Sequence, residues 1–183
     1  MPLRRWKTLS SITVAANRWW VYRKDEYELP SGKKGEYHLV HTNGASLVVP
    51  VGSSGELHLV NQYRYLCARE SVEFPCGGVK DGATYEETAL GELREETGFA
   101  CGTLEQAGSF NPYNGVTDEI CRVYIARDLK FVGGAPDDTE EFEPVTLRPA
   151  EVDARIASGE IWDGMTIAAW AIVRPLIARG SPP

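Results

Sequence analysis

Three carboxylates, Glu92, Glu95 and Glu96, crowd a short segment whose flanking residues carry helix start and stop signals. Thr84-Tyr85-Glu86-Glu87 has the S/T-x-x-E form in which a hydroxyl caps the first turn and a glutamate reaches back to the cap. The pattern predicts a helix from about Tyr85 to Thr97, with Gly98 as its left-handed stop. At about 100° per residue the three glutamates share an arc of roughly 100°, and Ala89, Leu90, Leu93 and Thr97 fill the adjoining one. Like charges three and four residues apart repel on a helix. Carboxylates in the last turn also face the negative end of the helix dipole. A hard divalent cation reverses both penalties, because it takes a few carboxylate oxygens and keeps water or phosphate in its remaining positions. Without such a cation the same residues are a solvated acidic face.

The longer pattern Gly77-x5-Ala83-x7-Gly91-Glu92-Leu93-Arg94-Glu95-Glu96-Thr97-Gly98-Phe99 resembles the Nudix box, G-x5-E-x7-R-E-U-x-E-E-x-G-U, with U a bulky apolar residue. Seven of the nine defined positions match. The resemblance implies a loop-helix-loop that holds Mg²⁺ or Mn²⁺ against a substrate diphosphate, with Glu92, Glu95 and Glu96 as ligands. Two charges of the pattern are missing: Ala83 replaces a glutamate and Gly91 replaces an arginine. An arginine at that second position would project about 40° from Glu95 and brace the acidic cluster. Gly91 cannot, and it lowers helix propensity by roughly 1 kcal/mol. Arg94 projects about 100° from Glu95, so Arg64 and Lys80 are the candidate braces from outside the helix.

Beyond the box, Gln62-Tyr63-Arg64, Glu73-Phe74-Pro75-Cys76-Gly77 and Glu141-Phe142-Glu143 stand in the order seen in ADP-ribose and nucleoside-diphosphate-sugar pyrophosphatases, so the resemblance covers about residues 16–177. It implies that the Cys76 carbonyl is a further metal ligand and that Arg64 contacts the substrate diphosphate, a role suited to a guanidinium fork. Glu73 is a structural or substrate-binding acid. A loop acid is expected to activate water, and the alignment points to Glu141, with Glu140 next. The resemblance also implies an N-terminal appendage exchanged across a homodimer, which would set Trp19 and Tyr37 over the nucleobase; the adjacent Trp19 and Trp20 could equally fill an interface. The segment Asn111–Glu119 occupies the place of a substrate-proximal loop, and its Asn114-Gly115 also suits a plain turn. His38, His41 and His58 fall on predicted strands and are read as structural.

The elements that must position these groups are mixed. β-branched or alternating runs at 37–41, 46–51, 57–63 and 120–126 are separated by Asn43-Gly44 and Gly52-Ser53-Ser54-Gly55 turn chemistry. Pro149 to Gly159 reads as one later helix, and a second starts near Thr166 and is interrupted by Pro175. Gly133 to Asp138 reads as an extended loop. Helices and strands do not alternate strictly, which favours a mixed sheet with helices on its faces. The expected fold is α+β, a Nudix-type α/β/α sandwich with a central mixed sheet and an N-terminal β appendage. The domain boundaries are residues 1–43 for the appendage and possible dimerisation arm, 44–178 for the hydrolase domain and 179–183 for a disordered tail.

Composition narrows the partners. A chain of 183 residues with 43% hydrophobic content can bury a core unaided. The net charge of -7 argues against duplex nucleic acid, which is bound through Lys and Arg. The charge is uneven: residues 1–34 hold eight bases and three acids, whereas 135–143 hold five acids and no base. Cys67, Cys76, Cys101 and Cys121 form no metal or redox spacing, which suggests a reduced, cytoplasmic protein. No signal peptide is read, and the apolar stretch 165–173 is too short for a membrane span. The resemblance implies an enzyme that splits ADP-ribose or a related nucleoside diphosphate sugar into a nucleoside monophosphate and a sugar phosphate. The alternatives are a weakened Nudix-like module that binds a nucleotide sugar without turnover, and a hydrolase for GDP-mannose or another sugar nucleotide.

Overall fold

A computed structural model of the chain describes residues 3–134 and 141–179. It divides into two compact units, one running to Asn43 and including Asn111–Ile120, the other formed by Gly44–Phe110 and the chain from Cys121 onward.

The first unit is an antiparallel sheet of β1 (Lys7–Ala16), β2 (Val21–Glu28) and β3 (Lys34–His41), in that order. All ten residues of β1 are exposed. Their mixed polar and apolar content hides the strand from sequence pattern, and it is the ladder to β2 that fixes it. Asn111–Ile120 joins this unit through backbone bonds between Val40 and Val116 (2.8 Å) and between Asp118 and Val40 (3.3 Å). Its Asn114-Gly115 pair forms a turn in which the Val116 amide donates to the Tyr113 carbonyl at 2.9 Å.

The second unit is built on β4 (Ala45–Pro50), β5 (Leu57–Arg64), β6 (Arg69–Glu73), β7 (Cys76–Gly78), α1 (Tyr85–Thr97), β8 (Phe99–Ala100), β9 (Thr103–Phe110), β10 (Cys121–Arg127), β11 (Lys130–Phe131), β12 (Glu143–Leu147), α2 (Pro149–Ser158) and α3 (Gly164–Arg179). The central sheet has the order β7-β4-β10-β9 and is mixed, since β4 and β10 run parallel while the outer pairs are antiparallel. A second antiparallel sheet has the order β12-β5-β6. Every residue of β4 is buried, as expected of a strand covered on both faces. Its alternation sorts the core. Leu47 and Val49 pack with Leu57, Leu59, Val152, Trp170 and Val173, on the side of α2 and α3, whereas Val48 packs with Ala89, Leu93 and Tyr124, on the side of α1. This is the helix-sheet-helix sandwich with a mixed sheet.

Three local expectations change. Pro175 does not interrupt α3, which continues to Arg179. A proline removes one hydrogen bond and crowds the preceding turn, but Trp170, Val173 and Ile177 share one buried face across it, and their packing outweighs that cost. The helix also starts earlier than Thr166, because the Asp163 carboxylate accepts from the Thr166 amide at 2.7 Å and caps the first turn. On α1, Leu90 is 45% exposed and Glu96 only 9%, so Glu96, not Leu90, reaches into the packed face.

Candidate active site

The carboxylate-bearing helix is fixed at both ends by its own sequence. The Glu87 amide donates to Thr84 Oγ1 at 3.1 Å and the Thr84 amide donates to Glu87 Oε2 at 2.8 Å, completing the capping box. The backbone bond from Thr84, reinforced by its hydroxyl, holds the Glu87 carboxyl below the usual carboxylate range. At the other end Gly98 adopts φ +75°, and its amide donates to the Arg94 carbonyl. Ala89 and Leu93, both fully buried, clamp the helix on the sheet.

Clamped in this way, α1 directs two of its glutamates at β7. The Glu92 carboxylate lies so close to Gly77 that a Cβ at position 77 would collide with it. The Cys76 thiol is pushed well above the ordinary thiol range, first by its hydrogen bond with Cys121, then by burial, and further by the charges of Cys121, Glu96 and Glu92. Glu92 therefore bears on both Cys76 and Gly77, and Glu96 bears on Cys76. Glu95 is half-buried and turns elsewhere: its Oε1 lies 3.8 Å from the point that a Cβ on Gly91 would occupy, so it faces the space left by the missing side chain. Among the described residues no three His, Cys, Asp or Glu side chains are grouped closely enough to hold a metal by themselves. The donor chemistry nevertheless fits a hard cation. Mg²⁺ takes one or two protein carboxylates and fills its remaining positions with water and substrate phosphate, and a buried carboxylate such as Glu96 needs compensation by hydrogen bonds or a cation.

Arg64 and Glu73 are joined. Arg64 Nε donates to Glu73 Oε1 at 2.8 Å and Nη2 donates to Oε2, a two-pronged pair. Gln62 approaches the same carboxylate at 3.5 Å. The Glu73 side chain is 3% exposed and that of Arg64 is 44%, so the acid is structural at its root while the base keeps an open side. The hydrogen bond to Glu73 raises the Arg64 pKa; burial opposes this, and the charges of Glu73, Asp163 and Cys76 add to it. Arg64 thus sits within electrostatic reach of the β7 strand. Lys80, the other candidate brace, is exposed in the turn before α1. Sequence reasoning missed the support from α3, where Thr166 Oγ1 accepts from the Phe74 amide at 3.2 Å and steadies the segment between Glu73 and Cys76. The signal was present in Asp163, a capping residue ahead of an apolar run.

The remaining candidates sit on other elements. Glu141 is exposed just ahead of β12, and the neighbouring Glu143 accepts from Asn61 at 3.3 Å. Glu140 lies outside the described residues. Trp19 and Tyr37 belong to the first unit. Trp19 is 67% exposed with the Arg18 guanidinium 4.1 Å from its ring centre, and the Tyr37 hydroxyl donates to the Gly115 carbonyl at 3.0 Å. The histidines have structural partners: His38 meets the Tyr22 hydroxyl at 2.7 Å, His41 meets Asp118 at 2.8 Å, and the His58 ring lies 4.6 Å from that of Phe99.

Residues 41–166 match the family profile of the NUDIX domain. The chain is 32% identical over 165 residues to the methanol dehydrogenase activator of Bacillus methanolicus, covering 89% of each chain. It is 33% identical over 144 residues to an ADP-ribose pyrophosphatase of Bacillus subtilis (strain 168), covering 78% of each. The crystal structure of an ADP compounds hydrolase shares the fold, with a TM-score of 0.87 at 21% identity over 99% of this chain and 98% of that one. With that profile matching more than half of the chain, Gly77 and the acidic helix included, this chain belongs to the Nudix hydrolase family.

Proposed function

We propose that this chain hydrolyses the diphosphate bond of ADP-ribose or a closely related nucleoside diphosphate sugar, releasing a nucleoside monophosphate and a sugar phosphate. The observation that carries the reading is the Glu92 carboxylate pressed against Gly77, with the charges of Glu92 and Glu96 both acting on Cys76 and Arg64 in electrostatic reach of the same strand. The name of the Bacillus subtilis relative supplies the substrate class. Glu92, Glu95, Glu96 and the Cys76 carbonyl are assigned to the divalent cation that the family generally requires, here Mg²⁺ or Mn²⁺. When bound, that ion offsets charge developing on the phosphate oxygens. Arg64, oriented by Glu73, offers its guanidinium to the diphosphate. Glu141, or its neighbour Glu140, takes the proton of the attacking water as its oxygen bonds to phosphorus and the bridging P–O bond breaks. Trp19 and Tyr37 are assigned to the nucleobase, residues 1–43 to the arm of a homodimer, and residues 44–178 to the hydrolase domain. The four cysteines are free thiols, which fits a cytoplasmic setting.

Incubation with Mg²⁺ and ADP-ribose is expected to yield AMP and ribose 5-phosphate, and Glu96→Gln is expected to lower kcat by at least about a hundredfold. Unchanged turnover in that variant contradicts the metal assignment. One observation favours a second reading, a module that binds nucleotide sugars without turnover: Gly91 leaves Glu95 turned toward an empty position. Tight binding in calorimetry with no product over hours selects it. A panel including GDP-mannose decides the leaving sugar.

A further inference from the structure

The parallel strands β4 and β10 end side by side, with Ala126 opposite Pro50 and the Val51 amide donating to the Ala126 carbonyl at 2.9 Å. Crevices outside the carboxyl ends of parallel strands are common ligand sites. Here the crevice is a cavity of about 400 Å³ between the Gly52-Ser53-Ser54-Gly55 turn and the far end of α3. That size suits a small metabolite. Its charged lining is Arg127 and Arg174, and no acid among the described residues lines it. In a chain of net charge -7 the hollow is a local concentration of positive charge, shared between Arg127 and an Arg174 that also holds the ion pair with Asp153.

Both the turn and one of the bases are held in place. Arg148 Nη1 donates to the Ser54 carbonyl at 2.5 Å, and the Gly55 amide donates to the Gly52 carbonyl at 2.9 Å. A Cβ on Gly52 would meet the Glu56 side chain, which packs directly against the turn. Arg174 donates from Nε to Asp153 at 3.0 Å and 3.3 Å and lies 5.7 Å from the Trp170 ring centre, so its guanidinium is pre-oriented. The acids Glu56 and Asp128 line a neighbouring cavity of about 390 Å³, which shares Val51, Gly52, Ser53 and Arg127 with the first. This place is distinct from the carboxylate site. Thr166, which supports Phe74, and Ile177, which lines the cavity, are eleven residues apart on α3, roughly 16 Å along the helix.

We propose that the cavity between the Gly52–Gly55 turn and α3 is a second site, which takes a phosphomonoester of sugar-phosphate size on Arg127 and Arg174. Guanidinium forks match phosphate oxygens, and Ser53 and Ser54 add polar residues to the lining. The test is calorimetry on the full chain without divalent cation, using ribose 5-phosphate and inorganic phosphate as probes. Saturable binding of ribose 5-phosphate is expected, weakened about tenfold or more by Arg127→Gln, less by Arg127→Lys, and unaffected by Glu96→Gln. If Arg127→Gln does not fold, as judged by its melting curve, Ser53→Asp provides the same reading by placing a carboxylate in the cavity. Absence of saturable binding, or binding unchanged by both Arg127→Gln and Ser53→Asp, overturns the site. Binding lost in Glu96→Gln assigns the signal to the carboxylate site and also overturns it. Equal binding of a sugar carboxylate such as gluconate overturns the phosphate assignment.

Discussion

Position 91 is where a single side chain has most leverage on the acidic helix. A Cβ there meets nothing nearer than Glu95 Oε1 at 3.8 Å, so a larger residue can enter without displacing the core. Gly91→Arg is expected to gain roughly 1 kcal/mol of helix propensity and to place a guanidinium beside Glu95. The checks are a higher midpoint in urea unfolding and saturation of hydrolysis at lower Mg²⁺ concentration. A higher midpoint with an unaltered metal requirement leaves the helix argument standing and removes the absent brace as a cause of weakness. Arg64 is no substitute brace of equal freedom, because Glu73 occupies its Nε and Nη2. Those residues are nine apart in sequence and meet only because β5 and β6 fold back on each other. Sequence reading therefore left Glu73 undecided between structure and substrate, and its burial supplies the structural half of the answer.

At the scale of elements, the ends of α1 were legible because caps are local chemistry, and the face it buries was not. The arc predicted to pack included Leu90, but the sheet takes Ala89, Leu93 and Glu96. A helical wheel gives angles and not the direction of the neighbouring sheet. The helix stop is demanding as well as local. At Gly98 a Cβ would be strained by φ +75° and would come within 2.7 Å of the Phe131 ring and 3.0 Å of the Gly134 amide. Gly98→Ala is expected to destabilise the fold by about 2 kcal/mol, measured as a lower denaturation midpoint without change in slope. On β5, burial lowers the pKa of His58, with the charge of Glu56 opposing. The folded chain thus binds fewer protons there than the unfolded one. The resulting stabilisation is full above the unfolded imidazole value of about 6.5 and is lost as pH falls through the lower folded value. The melting temperature is expected to decline on acidification through this window, and His58→Phe is expected to flatten that part of the profile.

At the scale of the whole molecule, β1 is the conspicuous surface. It is a ten-residue edge strand, exposed along its whole length, and its apolar Ile12 and Val14 are 53% and 51% exposed. Soluble chains usually protect such edges. A second copy of the chain is the occupant that the homodimer proposal supplies. Sedimentation is expected to give twice the 20.2 kDa chain mass, and the double substitution Ile12→Lys with Val14→Lys is expected to give the single mass. A monomeric wild-type chain contradicts the dimer and, with it, the assignment of Trp19 and Tyr37 to a base. Among the described residues no helix is long and apolar enough to cross a membrane.

By itself the sequence determined what depends on neighbours along the chain: the capping box at Thr84, the stop at Gly98, the glutamate spacing, the β-rich centre and the helix after Pro149. Tertiary structure decided what depends on partners distant in sequence. It turned Glu92 onto Gly77, brought the charges of Glu92 and Glu96 to bear on Cys76, and locked Glu73 to Arg64. It carried α3 through Pro175 on a buried face and gathered Asn111–Ile120 with the N-terminal sheet. The physical reason is the same in each case. Caps and helical period act within one turn, whereas burial and charge pairing depend on which surfaces the folded sheets bring into contact.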